Sequence, residues 1–192
     1  FAIKITNRDS LVEYIKYINP ISTDLEKSFT KSQIKSADLL TLQKYFLNFW
    51  IERNHLHPLL AWRNYKHLVD QANHDFKTIA LKGYQTDRGR VYLQYGPPNV
   101  ITKSYYEPAA YPYEIWHYYR LGYQRNKKFV FYTHDLVTND FQLIHSDAVG
   151  ELANYRWQTF IYQRTWDPNN IDQTQPPDAW GNDASDYYYH PR

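Results

Sequence analysis

Hydrophobic positions follow two different periods along this chain, and the change falls near residue 83. Before it, apolar residues recur every three or four positions, as in amphipathic helices; after it, they alternate with polar residues, as in half-buried strands. The pattern predicts an α+β fold, in which a helical N-terminal half packs on a small, mainly antiparallel four-stranded sheet. The predicted helices are a short one that ends at Pro20 and those at 25–29, 34–53 and 59–79, with a last helix or turn within 148–163. The predicted strands are 90–95, 113–119, 128–134 and 141–145.

Local signals indicate two helix starts and a common core. Ser10 with Glu13, and Thr23 with Glu26, have the Ser/Thr-x-x-Glu spacing of a capping box. The helix at 59–79 has a continuous apolar stripe with steps of three and four residues. The predicted core draws on both halves of the chain and includes Leu42, Phe46, Phe49, Trp62, Val69, Phe76, Val91, Leu93, Ile115 and Phe131.

The two ends of the chain differ from its centre. Residues 1–8 alternate like the end of a preceding strand or domain, and the α+β domain should then occupy residues 9–165. Residues 166–192 are rich in Pro, Asn, Asp and Gln, and they predict an extended tail, because such segments bury too little apolar surface to fold alone. We expect aromatic anchors to hold this tail on its own domain or on a partner protein. These anchors are Trp180, Tyr187, Tyr188 and Tyr189.

Charge and composition exclude several classes of function. The formal net charge is only +2 and the basic residues are interspersed with acids, so we expect no nucleic-acid partner. No apolar run is long enough to span a bilayer, and there is no signal-peptide pattern. The chain contains no cysteine, which excludes disulfides and thiolate metal sites within it. It contains no methionine either, and we therefore expect it to be part of a longer protein.

Aromatic residues are unusually frequent in this chain, which has 20 tyrosines, 9 phenylalanines and 6 tryptophans. Such residues favour strands and contribute large contact areas. They can therefore fill a core, stiffen a sheet or form a binding surface.

The segment at the change of period, residues 83–98, reads Gly-Tyr-Gln-Thr-Asp-Arg-Gly-Arg-Val-Tyr-Leu-Gln-Tyr-Gly-Pro-Pro. It predicts a polar turn, one strand and a Gly-Pro-Pro stop. Pieces that accompany it in chain order are Phe49-Trp50 with Arg53, Ala72-Asn73 with Phe76, and Glu114-Ile115-Trp116 before Phe129-Val130-Phe131. In these features the chain resembles the GWxTD domain family of bacterial envelope proteins, found largely in Bacteroidetes-type organisms. The resemblance covers residues 15–148.

The resemblance implies a place in the cell envelope, in the periplasm or associated with the outer membrane, but it transfers no catalytic residues and no mechanism. This chain departs from the family at one name-giving position, where Tyr84 replaces the usual tryptophan. Tyrosine keeps most of the area of a packing anchor, but the change would weaken a ligand-stacking platform. The motif residues singled out are Arg53, Gly83, Tyr84, Thr86, Asp87, Arg88, Gly89, Arg90, Tyr95, Gly96, Pro97, Pro98, Glu114 and Trp116.

Arg53 is the charge that most needs a partner. At roughly 100° per residue it falls on the apolar stripe of its helix, and an unpaired buried guanidinium is costly. We expect Asp87 to pair with it, or else Glu114. Such a pair would attach the helices to the start of the first strand, or it would bind an anionic ligand.

Two parts of the motif allow a binding interpretation as well as a structural one. Thr86 and Asp87 have turn chemistry, and Gly89 can supply a positive φ. A phosphate-cradling loop is not favoured here, because the segment lacks the Gly-rich spacing and the helix start of such loops. Tyr95 and the following Gly-Pro-Pro predict the end of a strand, although a Tyr/Pro surface can also bind extended peptides.

The eight histidines do not predict a metal site. His67 and His74 fall on a solvated helix face, and no His-Glu-x-x-His spacing occurs. His117, His134 and His145 lie on separate strands, where we place His117 opposite about Val130 and His145 near Phe131. We expect no metal and no cofactor.

Three functional hypotheses remain. The first is a non-enzymatic interaction or scaffold module of a Gram-negative envelope assembly, which binds protein partners through its aromatic sheet face and tail. The second is a glycan- or peptide-binding domain that uses exposed tyrosines and Trp116 as stacking platforms. The third is a hydrolase built from His117, Glu114 and Asp135, although alternation puts His117 and Glu114 on opposite sheet faces.

Overall fold

The computed structural model describes residues 5–162 and 183–190 of the chain. The expected strand end at Phe1 and Ile3, and the tail anchor Trp180, lie outside these residues. The helices are α1 (Arg8–Tyr17), α2 (Asp24–Gln33), α3 (Leu39–Arg53), α4 (Pro58–Asp75), α5 (Asp87–Tyr95), α6 (Trp157–Ile161) and α7 (Ala184–Tyr189). The strands are β1 (Val100–Ser104), β2 (Tyr113–Leu121), β3 (Gln124–Tyr132) and β4 (Gln142–Ser146).

The four strands form one antiparallel sheet in the order β1-β2-β3-β4, so that each strand pairs with its neighbour in sequence. The two central strands are joined by a tight turn, in which Gly122 has a φ of 61°. A bulge interrupts the pairing of β3 with β4, because Val130 lies opposite His145 whereas Phe131 lies opposite Leu143. Ile144 is the extra residue, and it turns His145 to the sheet face away from the large helices.

The predicted α+β class and four-stranded antiparallel sheet are confirmed, but one predicted strand is wrong. Residues 90–95 lie in helix α5, and β1 comes instead from the proline-bounded segment after it. Helix α5 lies between α4 and the sheet, and three consecutive residues, Val91, Tyr92 and Leu93, are buried. A helix buried on several sides has no single apolar stripe, so its sequence does not reveal a helical period.

Side-chain N-caps mark where the first three helices begin. Thr23 and Glu26 form the predicted capping box at α2. The cap of α1 is Asn7 and not Ser10, because Asn7 Oδ1 accepts hydrogen bonds from two backbone amides of the first turn. Asp38 caps α3 in the same way, so that helix begins five residues after the predicted start.

The core has two parts, one on each face of the sheet. The larger part packs α1, α3, α4 and α5 against the face that carries Trp116, Phe129 and Phe131. The smaller part covers the opposite face, where α6 and α7 pack on Ile115 and Val130. All ten residues predicted for the core are buried. Both faces of the aromatic sheet are thus covered over much of their area by the chain itself.

Two glycines set the distance between α4, the 3₁₀ turn at Gly83–Gln85 and α5. A Cβ at Gly83 would lie 1.9 Å from the carbonyl oxygen of Ala72 in α4. A Cβ at Gly89 in α5 would lie 1.8 Å from the carbonyl oxygen of Gly83. Both contacts are with backbone, which cannot move aside as a flexible side chain can. Gly89 is therefore required for close approach and not, as predicted, for a positive φ.

Substitution of Gly89 by alanine tests this close packing. Helix propensity alone predicts that the change stabilises α5 by about 1 kcal/mol. The clash with the Gly83 carbonyl predicts the opposite sign, a loss of about 2–3 kcal/mol or more in the free energy of unfolding. Urea denaturation of the parent and the variant measures this change in the free energy of unfolding.

Gly122→Ala provides the control, since its Cβ meets nothing within 4 Å and only the left-handed backbone is strained. It should cost about 1 kcal/mol. A Gly89→Ala protein as stable as the parent would contradict the close-packing explanation.

Candidate functional site

The motif residues 83–96 form the junction between the helical layer and the sheet. Thr86 is the N-cap of α5, and its Oγ1 accepts a hydrogen bond of 3.1 Å from the Gly89 amide. The same hydroxyl donates to the Gly83 carbonyl at 2.8 Å, which closes the turn onto the helix. A helix therefore starts directly after this turn, where the sequence predicted a strand. The motif therefore positions three charged side chains at the beginning of α5.

Arg88 carries the most deeply buried of these charges. Its guanidinium donates to Glu114 Oε1 of β2 at 3.0 Å, and the two side chains are 5% and 2% exposed. Burial lowers the pKa of Arg88, and the nearby Glu114 carboxylate opposes that shift. An arginine keeps its proton in proteins, so the pair is ionic and joins α5 directly to a central strand.

Most other polar atoms around this pair are also engaged, although Arg88 Nε is buried without a hydrogen-bond partner in the described part of the chain. Glu114 accepts hydrogen bonds from the Tyr105 hydroxyl and from Trp116 Nε1, the latter at 2.9 Å. Arg88 Nη2 donates to the backbone and side-chain oxygens of Asn139, and the guanidinium lies 4.1 Å from the Phe141 ring centroid. The Glu114 carboxylate is therefore enclosed by internal donors and does not face an open cavity.

Asp87 and Arg90 reach the far edge of the sheet from the same turn of helix. Asp87 Oδ2 accepts a hydrogen bond of 2.8 Å from the backbone amide of Leu143 in β4. Arg90 makes a bidentate pair with Glu151 at 2.7 and 2.8 Å, and the Tyr95 hydroxyl donates to the same carboxylate. Arg90 and Tyr95 together hold the pKa of Glu151 below its ordinary value, although burial alone would raise it.

The predicted partners of Arg53 are wrong. Arg53 ends α3 and pairs with both oxygens of Glu26, at 2.9 and 2.8 Å, while its guanidinium carbon lies 3.4 Å from the Phe49 ring centroid. Its side chain is 26% exposed. The expected staple between helices and sheet exists, but Arg88 forms it with Glu114. The Arg88–Glu114 pair was not predicted because residues 90–95 were interpreted as a strand. Arg88 points towards β2 as a residue of the helix that starts at Asp87.

The remaining motif residues terminate and pack α5. Tyr84 is half-buried, and its ring lies edge-on to Tyr17 at 4.8 Å, which is the contact of a packing anchor. Gly96 has a φ of 81° and ends the helix, and Pro97 and Pro98 then prevent its continuation. The predicted Gly-Pro-Pro stop thus ends a helix instead of a strand.

The strand histidines have a different register from the predicted one. His117 pairs with Lys128 and His145 pairs with Val130. In residues 5–162 and 183–190, no three His, Asp or Glu side chains are grouped closely enough to hold a metal ion. His117 is buried and neither ring nitrogen has a hydrogen-bond partner within that described part of the chain.

His145 is buried between the sheet and α7. Its Nδ1 accepts a hydrogen bond of 3.1 Å from the Asn154 amide, so the neutral ring carries its proton on Nε2, 3.0 Å from the Tyr188 hydroxyl. Burial lowers the pKa of both His145 and His117.

The structure does not assemble the hydrolase site considered from the sequence. Glu114 faces the helices with Trp116, whereas His117 lies on the opposite sheet face, and Asp135 caps a separate 3₁₀ turn. Trp116 is fully buried, so it cannot act as a stacking platform for a glycan or peptide.

The tail tyrosines lie in α7, and they differ in exposure. Tyr188 is buried, where it contacts His145 and packs 5.3 Å from the ring of Trp157. Tyr187 is half-buried against the same cluster, and Tyr189 is exposed. Tyr188 therefore anchors the tail on its own domain and is not available to a partner, whereas Tyr189 is.

An apolar cavity of about 420 Å³ opens where α3 turns into α4, and we name it the α3–α4 groove. Pro58, which begins α4, is one of its lining residues. Its charged or titratable lining residues are Arg63, His55 and His57, and no carboxylate of the described ranges lines it. Its apolar walls are Leu47, Ile51, Leu56, Leu59 and Leu60.

Comparison with known families identifies this architecture. The sequence model of the GWxTD domain matches residues 3–180 of the chain. The chain belongs to the GWxTD domain family. Neither the curated proteins nor the solved structures gave a match. The family expected from the motif is thus confirmed. In this GWxTD domain the name-giving segment forms the 3₁₀ turn at Gly83–Gln85, the N-cap Thr86 and the first residue of α5.

No helix in the described ranges of the GWxTD domain is both long enough and apolar enough to cross a bilayer.

Removal of one partner of the buried pair tests the junction. Arg88→Met should lower the free energy of unfolding of the GWxTD domain by about 3–5 kcal/mol, because it leaves the Glu114 carboxylate buried without its cation. Arg53→Met removes a pair that is partly solvated, and it should cost about 1 kcal/mol or less. Chemical denaturation of both variants measures the difference.

The double variant Arg88→Met/Glu114→Gln separates pairing from packing, since the introduced glutamine keeps the shape of the side chain and an oxygen that accepts hydrogen bonds, but carries no charge. It should recover a large part of the loss. Additive losses in the double variant would refute an energetic coupling between Arg88 and Glu114.

The two buried histidines predict that stability depends on pH. Their pKa values in the folded state lie below the unfolded value of about 6.5, so the unfolded chain binds more protons. Stability is therefore complete above about pH 6.5 and falls as the pH decreases towards the folded pKa values, by at most about 1.4 kcal/mol per pH unit for each histidine. Denaturation at pH 7.5, 6.5 and 5.5 measures this slope.

The variant His117→Gln/His145→Gln should show a flatter profile in that range. The carboxylates with lowered pKa contribute only at lower pH, below about 4.3; in the described ranges they are Glu13, Glu26, Asp38 and Glu151. An unchanged slope in the double variant would exclude these histidines as its source.

Proposed function

We propose that this GWxTD domain is a non-enzymatic interaction module of a Gram-negative cell-envelope assembly, where it binds a protein partner through its outer surface. The observation that carries the proposal is the internal use of the motif. Asp87, Arg88 and Arg90 each bind another part of the same chain, and Glu114 is enclosed by Arg88 and Trp116. The motif thus builds a rigid body and leaves no charged group of its own directed at a substrate.

The location is part of the proposal and follows from what the GWxTD resemblance implies. A periplasmic or outer-membrane-associated domain would meet large protein assemblies, such as secretion, gliding or other outer-membrane machinery. We propose a protein in such an assembly as the partner, and no cofactor.

The surface proposed for binding differs from the one expected from the sequence. The sheet faces are covered by helices on one side and by α6 and α7 on the other. The α3–α4 groove is lined instead by leucines that reach the solvent, with Leu56 80% and Leu60 53% exposed. Exposed apolar clusters with a polar rim are typical of protein-binding surfaces.

The proposal predicts that the full-length protein, purified natively from its own envelope fraction, co-purifies with one or more envelope proteins in fixed stoichiometry. Cross-linking with mass spectrometry should connect the partner to exposed lysines of this domain. The physical reason is that a rigid domain with an exposed apolar cluster gains free energy by covering it. Recovery as a lone monomer, without cross-links to another protein, would contradict the proposal.

A glycan- or peptide-binding domain is the second candidate, and one feature favours it. Tyr106 is highly exposed beside a cavity of about 560 Å³ that also has Lys103, Ser104 and Asp183 on its walls. An exposed aromatic ring beside hydrogen-bonding groups is the usual arrangement for binding a sugar. A glycan array with the purified domain distinguishes this candidate from the first.

A further inference from the structure

Helix α3 has two apolar faces, although a surface helix needs only one. Leu42, Phe46 and Phe49 form the buried face against the core. Leu40, Leu47 and Ile51 recur at steps of seven and four residues, which at roughly 100° per residue places them together on the side away from that core face. A helix that is apolar on opposite sides is expected to have a neighbour on each of them.

The second face is continuous with the α3–α4 groove. Leu47 and Ile51 belong to both, and Leu40 extends the apolar stripe to the other end of the helix, where it is 55% exposed. From Leu40 to Ile51 the stripe is roughly 16 Å long, at about 1.5 Å per residue. An acyl chain held in the cavity would leave the Leu40 end of this stripe uncovered. A segment about three helical turns long would cover all of it.

Two basic side chains lie beside the stripe, and one carboxylate, Asp38 at the start of α3, interacts with Lys44. Lys44 falls on the same side of α3 as Leu47, and Arg63 lies at the other wall of the groove. Neither forms a salt bridge with any residue in the part of the chain that the structure describes. His55 and His57 add titratable groups to the rim. These cations favour an occupant that carries carboxylates next to its apolar residues.

The same charges disfavour a second copy of this chain as the occupant. An isologous contact through this face would place Lys44 and Arg63 near their own counterparts. The backbone along the stripe also restricts the occupant, because the main-chain groups of α3 between its two ends are bonded within the helix. Along the stripe they offer nothing to the free amides and carbonyls of an extended peptide, whereas a helix satisfies its own.

We infer that the α3–α4 groove and the adjoining stripe bind an amphipathic helix of a partner protein, in which aspartate or glutamate residues flank a row of apolar side chains. The inference rests on the proposed function, since it names the surface and the class of partner for that same interaction. The apolar row lies along Leu40, Leu47 and Ile51, and the flanking carboxylates meet Lys44 and Arg63.

Two synthetic helical peptides of 15 residues test this inference directly. They share a leucine row at positions i, i+4, i+7 and i+11, and they differ only in having glutamate or lysine beside it. Titration calorimetry should show that the glutamate peptide binds the intact chain at least tenfold more tightly than the lysine peptide. Methyl NMR should place the perturbations at Leu47, Ile51 and Leu60.

Lys44→Glu/Arg63→Glu should reverse the preference between the two peptides, and Leu60→Asp should abolish binding of both. Arg125→Glu is the matched control, because it reverses the charge of an exposed residue of β3, far from α3 in the chain, and should leave both affinities unchanged. Circular dichroism confirms that each variant is folded before it is titrated.

The inference would be overturned by any of the following outcomes. Equal affinity for both peptides, or perturbations outside the groove, would exclude acidic helix recognition. Dimerisation that Leu60→Asp abolishes would make a second copy the occupant. Flotation with anionic phosphatidylglycerol vesicles that depends on Leu56, without binding of either peptide, would make it a lipid surface. If native cross-links connect a partner to another face, the proposed function stands and only the groove assignment fails.

Discussion

Helix α5 lies against the turn at Gly83, and that turn lies against α4, with no space for a side chain between the three backbones. This contact determines where α5 begins, because Thr86 both closes the turn and caps the helix. The position of α5 then determines which groups reach the sheet. Arg88 meets Glu114 of β2, and Asp87 meets the backbone of β4. A single turn of one short helix thus provides the bonds from Arg88 to β2 and from Asp87 to β4, and two glycines make its geometry possible.

This arrangement explains why the charged and aromatic motif residues of the described ranges pack the fold and do not line an open cleft. A buried arginine and carboxylate would be a candidate site if they opened to a cavity, because active sites also contain such groups. Here each is bonded to other parts of the chain, and the aromatic rings of Phe141 and Trp116 close the space around them. The charges therefore specify how the layers are assembled. The second apolar face of α3 and the basic rim of the groove remain uncovered in the described structure, and this is the surface that we propose for recognition.

The C-terminal helix shows the same use of polar groups for internal attachment. The bulge at Ile144 turns His145 out of strict alternation, so that its ring meets Tyr188 and stacks on Trp157. The attachment combines a large apolar contact with the His145–Tyr188 hydrogen bond, and the ring is oriented by the Asn154 amide, whose hydrogen bond to Nδ1 requires a neutral imidazole. An acidic environment would act on this tail contact before it affected the carboxylate pairs of the helical layer, because a histidine titrates at higher pH than a carboxylate.

The sequence by itself determined the fold class, the core, the capping box of α2 and the approximate positions of β2, β3 and β4, because all of these depend on local periodicity and local hydrogen bonds. It also determined the family, through the order of the motif pieces. Only the tertiary structure decided that residues 87–95 form a helix, since a segment of nine residues buried on several sides takes its conformation from its neighbours. The tertiary structure likewise decided that Arg88, and not Arg53, pairs with Glu114 across 26 positions, and that Tyr188 packs on His145. Such contacts depend on the directions of side chains from separate elements, and spacing along the chain does not contain that information.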